Sequence, residues 1–259
     1  MTEKRVFLDG NILWSGVTQA ISRSQDPVLC IIRPSDVTFA AVSGLRLVVS
    51  WQFQLSETLP VGAVFVIPPT IASFLMAEAV RTRVELAIRG RAVTLALQDE
   101  MGRYELRWHS DVASFPAPQA FNRMLIVPDN LVEVSYISIS DAAHRAVAKL
   151  ATMESVEQIH RTKLAILVDF SRSRLVINGQ EILSGPQARY YFDPRLIIRA
   201  LEFLKTDTVR VGVTPLLGVN HRGFLSIVTE QNGYRVHCAL LSIGMATQKL
   251  YPLPPGRNQ

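Results

Sequence analysis

Arg145 and Lys149 stand four residues apart, and so do Arg195 and Arg199. Side chains at that spacing share one face of a helix. A row of positive charges along such a face can track the phosphates of a nucleic acid, a contact that ignores sequence and weakens with salt. Arg81 and Arg83 follow a third stretch with an apolar stripe, Arg23 ends a fourth, and Lys205 lies beyond Arg199. Acidic residues in these stretches are few, chiefly Glu78 and Glu202. A solvated face with a chance bias of sign accounts for any one of them. Four repeated ones leave the solvated reading and the phosphate-tracking reading both open.

Other chemistry finds little support. His109, His144, His160, His221 and His237 have no metal-ligand spacing, and the glycines are scattered singly at turns rather than gathered in a phosphate loop. Asp99 and Glu100 are adjacent carboxylates, but they fall in an expected hairpin turn. No serine sits in a nucleophile elbow. The expectation is therefore a protein without catalytic residues, metal or cofactor.

Bulk properties bound the class. The chain has 259 residues, 48% of them hydrophobic and 19% charged, with a formal charge of +5. That suffices for a packed core in one large domain or two ordinary ones. The basic surplus permits a nucleic-acid partner without requiring one. No apolar run approaches the roughly 18 residues that span a bilayer, and the charged start lacks a signal-peptide core. Cys30 and Cys238 both lie in apolar strand-like runs, which reads as two buried thiols in a reducing, cytoplasmic setting.

The elements that must carry the basic residues recur in order. Helical spacing runs over 11–22, followed by strand-like runs at 28–33, 37–42, 45–53 and 63–67. Pro68-Pro69-Thr70 opens a helix reaching to about residue 80. Strands at 84–89, 92–98 and 103–109 follow. The second half repeats this: a strand at 131–139, an N-cap at Ser140-Asp141, a helix over 142–153, strands at 163–170 and 174–177, a turn at Asn178-Gly179, and a strand at 188–192. Asp193-Pro194 then opens a helix, and strands at 209–213, 223–229 and 234–241 close the half. Val64–Ile71 lies over Arg189–Leu196, and Arg83–Leu86 over Thr208–Val211, in one register. A duplicated domain explains this, with domains at 1–115 and 131–243. A proline-containing connector at 116–130 joins them, and an irregular tail covers 244–259.

Several pieces, taken in order, make the sequence resemble the DNA sliding clamps, and more narrowly the second and third domains of the bacterial β clamp. Ser22-Arg23-Ser24-Gln25-Asp26 resembles the family's DNA-contacting loop at a helix end. Val42–Val48 is similar to its T-D-G-H-R-L-A strand turn, Val64–Pro68 to its V-I-V-P helix entry, and Ser114-Phe115-Pro116 to the F-P that opens its connector. Leu240-Leu241-Ser242-Ile243 stands where the family has V-M-P-M. The resemblance covers about Gly10 to Ile243.

It implies an α+β fold of two tandem clamp domains, each with two helices packed on antiparallel sheets. Six such domains make a ring around duplex DNA with helices lining the hole. The implied DNA-facing residues are Arg23, Gln25, Arg81, Arg83, Arg145, Lys149, Arg195, Arg199 and Lys205. The family's partner pocket lies between these two domains and takes short apolar peptides from polymerases and clamp loaders. It falls here on Ile31, Val42, Gly44, Leu45, Arg46, Leu47, Pro116, Ala239, Leu240, Leu241, Ser242 and Ile243. The family's first domain has no counterpart, so six domains would need a homotrimer. Ser43 and Leu45 replace the family's Asp and His, the connector is longer, and the net charge is positive where clamps are usually acidic. The implied function is a non-enzymatic processivity factor, cytoplasmic and nucleoid-associated, that holds double-stranded DNA and tethers a polymerase. The alternative is an open factor of the same fold that binds DNA directly as monomer or dimer. Gln248–Leu253 is also similar to the glutamine-plus-apolar peptides that clamps bind.

Overall fold

The computed structural model describes residues 3–21, 26–43, 46–78, 83–99, 102–115, 121–129, 131–151, 166–169, 175–177, 180–183, 189–204, 206–216, 223–231 and 233–242. They form two compact units, 1–119 with 230–236, and 120–229 with 237–259.

The first unit runs β1 (Lys4–Asp9), α1 (Gly10–Ile21), β2 (Val28–Ile32), β3 (Asp36–Ser43), β4 (Leu47–Gln54), β5 (Ala63–Ile67), α2 (Pro69–Ala77), β6 (Arg83–Arg89), β7 (Ala92–Asp99) and β8 (Gly102–His109). Two antiparallel sheets result, β1-β6-β7-β8 and β5-β2-β3-β4. Alternation sets the first sheet: Val84, Leu86 and Ile88 point into the core while Arg83 and Arg89 face out. Gly90, at φ 63°, takes the left-handed position in the two-residue turn that pairs Arg89 with Ala92. Strand β4 is buried on both faces apart from Gln52 and Gln54 at its C-terminal end, with Trp51 in register with Phe39 of β3. Leu13, Gly16, Val17 and Ala20 form the buried stripe of α1. There the helix approaches β3 so closely that a Cβ on Gly16 would lie 2.1 Å from a Phe39 ring carbon. The Trp14 indole N–H donates to the Met76 carbonyl (3.2 Å), tying α1 to the end of α2. The tip of the last hairpin also belongs to this unit. There the Tyr234 ring lies 4.9 Å from that of Phe53, and Arg235 bonds Glu230 and Gln52.

The second unit repeats the order: β9 (Val132–Ser135), α4 (Tyr136–Ala151), β10 (Ile166–Asp169), β11 (Leu175–Ile177), β12 (Gln180–Leu183), β13 (Arg189–Phe192), α5 (Pro194–Leu201), β14 (Thr208–Pro215), β15 (Gly223–Gln231) and β16 (Tyr234–Leu241). Before it come a 3-10 turn at Val112–Ser114 and the single-turn helix α3 (Phe121–Met124), whose Phe121 and Met124 are buried. The strand order β9-β14-β15-β16 matches β1-β6-β7-β8, and the pairs β13-β10 and β11-β12 match β5-β2 and β3-β4. Pro69 and Pro194 both open helices, and Arg83 and Thr208 both open strands, so the duplicated register holds in the structure. Phe192, Ile197, Val209, Phe224, Ile227 and Leu240 are among the core residues of this unit. Both cysteines are buried free thiols, and the Cys238 thiol faces the Ala200 carbonyl at 3.5 Å.

Three sequence expectations are corrected. Strand β1 was not expected, because Lys4–Asp9 carries only Val6 and Leu8 on its inner face. The expected strand at 131–139 stops at Ser135. Helix α4 starts at Tyr136, so Ser140-Asp141 is inside it rather than at its cap. Tyr136-Ile-Ser-Ile alternates like a strand, but Ile139, Ala142 and Ala143 form a helical stripe, and α4 packs against α5. Helix α2 ends at Ala77, with Glu78 as its C-cap, before residue 80. The Asn178-Gly179 turn and the tail at 244–259 lie outside the described residues.

Candidate functional site

The basic residues are best placed helix by helix. Asp193 is extended (φ −70°, ψ 118°), which Pro194 favours in its predecessor, and its Oδ1 accepts the Arg195 N–H at 3.0 Å. The Arg195 guanidinium turns back onto the same carboxylate, with Nε to Oδ1 at 3.0 Å and Nη2 to Oδ2 at 2.7 Å. This two-point bond raises the pKa of Arg195 further above its ordinary value. It takes up two of the five guanidinium N–H donors and sets a negative charge against the positive one. Arg199, one turn on, is exposed and makes no hydrogen bond or ion pair with a described residue. Glu202 follows on the same side, also exposed. On α4 the exposed face carries Ser138, Asp141 and Arg145. Asp141 precedes Arg145 by one turn, a favourable order of charges. The Lys149 side chain lies outside what is described.

The first unit differs. The described spans of α1 and α2 contain no basic residue, and the exposed face of α2 is Ser73, Phe74, Met76 and Ala77. Arg5, Arg83, Arg103 and Arg107 lie on the outer face of the sheet β1-β6-β7-β8. Arg83, first in β6, has its guanidinium carbon 5.2 Å from the Phe7 ring centroid. Arg5 pairs with Glu3 (2.6 Å) and Glu85 (3.1 Å), Arg107 with Glu105 (2.6 Å), and Arg103 reaches Glu85 and Glu105 (3.6 Å each). The hydrogen bond and charge of Arg107 hold the Glu105 carboxyl below its ordinary range. This ladder spends its charges on itself and leaves no single-sign stripe. Arg23, Gln25, Arg81 and Lys205 lie outside the described residues.

The residues assigned by resemblance to partner binding fall into two kinds. Val42, Leu47, Ala239 and Leu240 are fully buried core residues of their sheets. Ser242 is also occupied: its Oγ accepts the Gly223 N–H (2.9 Å) and its own N–H donates to the Gly223 carbonyl (2.9 Å), closing the β15–β16 end. Ile31 on β2, Arg46 at the turn before β4, and Leu241 on β16 keep partly exposed surface, and Arg46 has no bond to a described residue. Gly44, Leu45, Pro116 and Ile243 lie outside the described residues.

Among the described residues no group of three or more His, Cys, Asp or Glu could hold a metal ion. His237 is buried, with Nε2 2.9 Å from Ser226 Oγ. Asp99 stands in backbone register with Gly102 across the β7–β8 turn, while Glu100 lies outside the described residues. No described helix is long and apolar enough to cross a membrane. Sequence reasoning missed the clamping of Arg195 by Asp193. The signal was present as an acid two residues before a base, but it was read only as a helix opening.

A doubled unit of two helices on antiparallel sheets is the fold of the DNA sliding clamps. The solved structures it is similar to are bacterial DNA polymerase III β subunits. That of Thermotoga maritima matches with a TM-score of 0.51 and 13% identity, over 98% of this chain and 66% of that one. A sliding clamp from Pseudomonas aeruginosa, solved bound to griselimycin, gives 0.57 and 11%, over 93% and 66%. A putative β subunit from Eubacterium rectale gives 0.55 and 12%, over 93% and 65%. The chain thus spans about two thirds of the length of these clamps. No protein-family model matches the sequence, and no curated protein does either.

Proposed function

We propose that this chain is a sliding clamp without chemistry of its own, which closes as a homotrimer around duplex DNA and tethers a polymerase. The observation that carries the reading is the doubled clamp unit. Two units per chain reach the family's six with three copies. Head-to-tail closure also needs free strand edges. Strand β8 ends its sheet, and β12 pairs only with β11 among the described residues. In this reading the repeats are 1–115 and 131–243, joined by 116–130, and the protein works in the cytoplasm on nucleoid DNA.

DNA is held topologically, with loose phosphate contacts from Arg199, Arg145 and Lys149, supplemented by Arg23, Gln25, Arg81, Arg83, Arg195 and Lys205. Partner peptides rest on Ile31, Arg46 and Leu241, with Gly44, Leu45, Pro116 and Ile243 beside them. A loader that opens the ring belongs to the same reading.

The test is mass in solution together with retention on DNA. A ring has three times the 28.8 kDa chain mass, stays on closed circular DNA and is lost when that circle is cut. A concentration-independent monomer that binds linear and circular DNA equally refutes the ring. That result would favour an open DNA-binding factor, the reading to which the +5 charge leans.

A further inference from the structure

An edge strand exposes a row of backbone donors and acceptors, and proteins usually blunt it. Strand β5 is the edge of β5-β2-β3-β4 in the first unit. At Val66 the outward backbone is fully capped. Ser110 Oγ accepts its N–H (2.7 Å), and the Trp108 indole donates to its carbonyl (2.8 Å). The Gly62 carbonyl is capped as well, by Lys4 Nζ at 3.2 Å. Because Val66 turns its N–H and C=O away from β2, Val64, two residues earlier, does the same. No described side chain hydrogen-bonds the Val64 backbone, and the residue is 49% exposed. It borders a groove of about 230 Å³ whose other walls include Ile88, Val93, Ser110, Asp111 and Val112. The chain therefore blunts its edge on both sides of one position and leaves the outward backbone of that position unbonded beside a hollow of mixed lining, with Ile88, Val93 and Val112 as its apolar part.

The rim carries charge. Arg91 lines the groove, and its ion-pair partner Asp111 is 3.9 Å away with both side chains exposed. Such a pair is weak in water. The Asp111 carboxylate also accepts the Ala113 N–H at 3.3 Å. Lys4 stands at the Gly62 end. Two cations, Arg91 and Lys4, against the single carboxylate of Asp111 at this rim favour an anionic guest.

We infer that the β5 edge at Val64 docks an extended, acidic peptide segment of a partner protein. The segment pairs its backbone with Val64, sets one apolar side chain in the groove and places its carboxylates toward Arg91 and Lys4. None of the groove residues is among those assigned to partner binding by resemblance.

The test is amide NMR of the full-length protein titrated with acetyl-Glu-Glu-Val-Glu-Glu-amide. The Val64 amide should shift and exchange more slowly. Methylating the peptide's valine nitrogen should weaken binding about tenfold, the effect of losing one backbone hydrogen bond in a dry groove. Replacing its four glutamates with lysines should weaken it at least as much. Val64→Pro removes the outward N–H at an edge position that tolerates proline, and should abolish binding. Arg91→Ala should weaken it without touching the strand. No change at Val64, or equal affinity for the N-methylated peptide, overturns the proposal. An affinity unmoved by Arg91→Ala overturns its charge component.

Discussion

Gly16→Ala is expected to destabilise the first unit even though it replaces a poor helix former with the best one. In the interior of α1 the exchange should gain about 1 kcal/mol of helix propensity. Against this, the new methyl carbon would lie 2.1, 2.3 and 2.5 Å from three carbons of the Phe39 ring. Ordinary carbon contacts are about 3.5–4.0 Å, so ring and helix must part by roughly 1.4 Å. The ring has no room to yield: it is fully buried, opposite Trp51 in register, and edge-on to Phe53 at 5.9 Å. Overpacking of this kind costs about 1–3 kcal/mol and occasionally more, which outweighs the propensity gain. A contact as short as 2.1 Å puts the cost in the upper part of that range, so the net loss should be about 1–2 kcal/mol, seen in urea unfolding by far-UV circular dichroism as a midpoint lowered by roughly 1 M. Shrinking the neighbour in the double variant G16A/F39L should restore part of the loss, giving a non-additive cycle. A Gly16→Ala protein as stable as the parent, or a strictly additive double variant, refutes the close-approach argument.

Arg199→Ala should weaken binding to duplex DNA and reduce the slope of log affinity against log salt by about 0.9 per lost phosphate contact. Arg195→Ala should do less, because Asp193 already holds that guanidinium; equal effects would refute the distinction. Asp193→Ala removes the N-cap of α5 and should cost about 1 kcal/mol in thermal or chemical unfolding. Cys30 and Cys238 are buried, and desolvation pushes both thiols well above their ordinary pKa. Neither should react with a thiol reagent at pH 8 until the chain is unfolded, when both should; prompt labelling of the native protein would contradict their burial.

Most of the fold is legible in the sequence because its signals are local. Pro68-Pro69 and Asp193-Pro194 fix two helix starts, and alternation marks β6 and β8. The repeat is legible because both prolines fall in one register. What was not legible depends on partners distant in the chain. β1 is a strand because β6 offers it six register positions, Lys4 with Ile88 through Asp9 with Arg83. Tyr136-Ile-Ser-Ile becomes helix because the Tyr136 N–H meets the Asp207 carbonyl and α5 covers the stripe. At the site, the count of basic residues was visible but their engagement was not. Arg5, Arg103 and Arg107 look like free charge in the sequence; in the fold Arg5 and Arg103 pair across strands with Glu85, and Arg107 pairs with Glu105 on its own strand.

Trp14, Trp51 and Trp108, the chain's three tryptophans, all belong to the first unit. One is at the helix pair, one in the core of β4, and one caps the edge of β5. Intrinsic fluorescence is therefore a one-sided reporter: it watches the first repeat and is blind to the second, whereas ellipticity averages over both. Unfolding curves from the two signals on one unlabelled sample separate the stabilities of two units that share a fold but not a fluorophore. A partner or DNA that touches only the second unit should leave the emission spectrum unmoved.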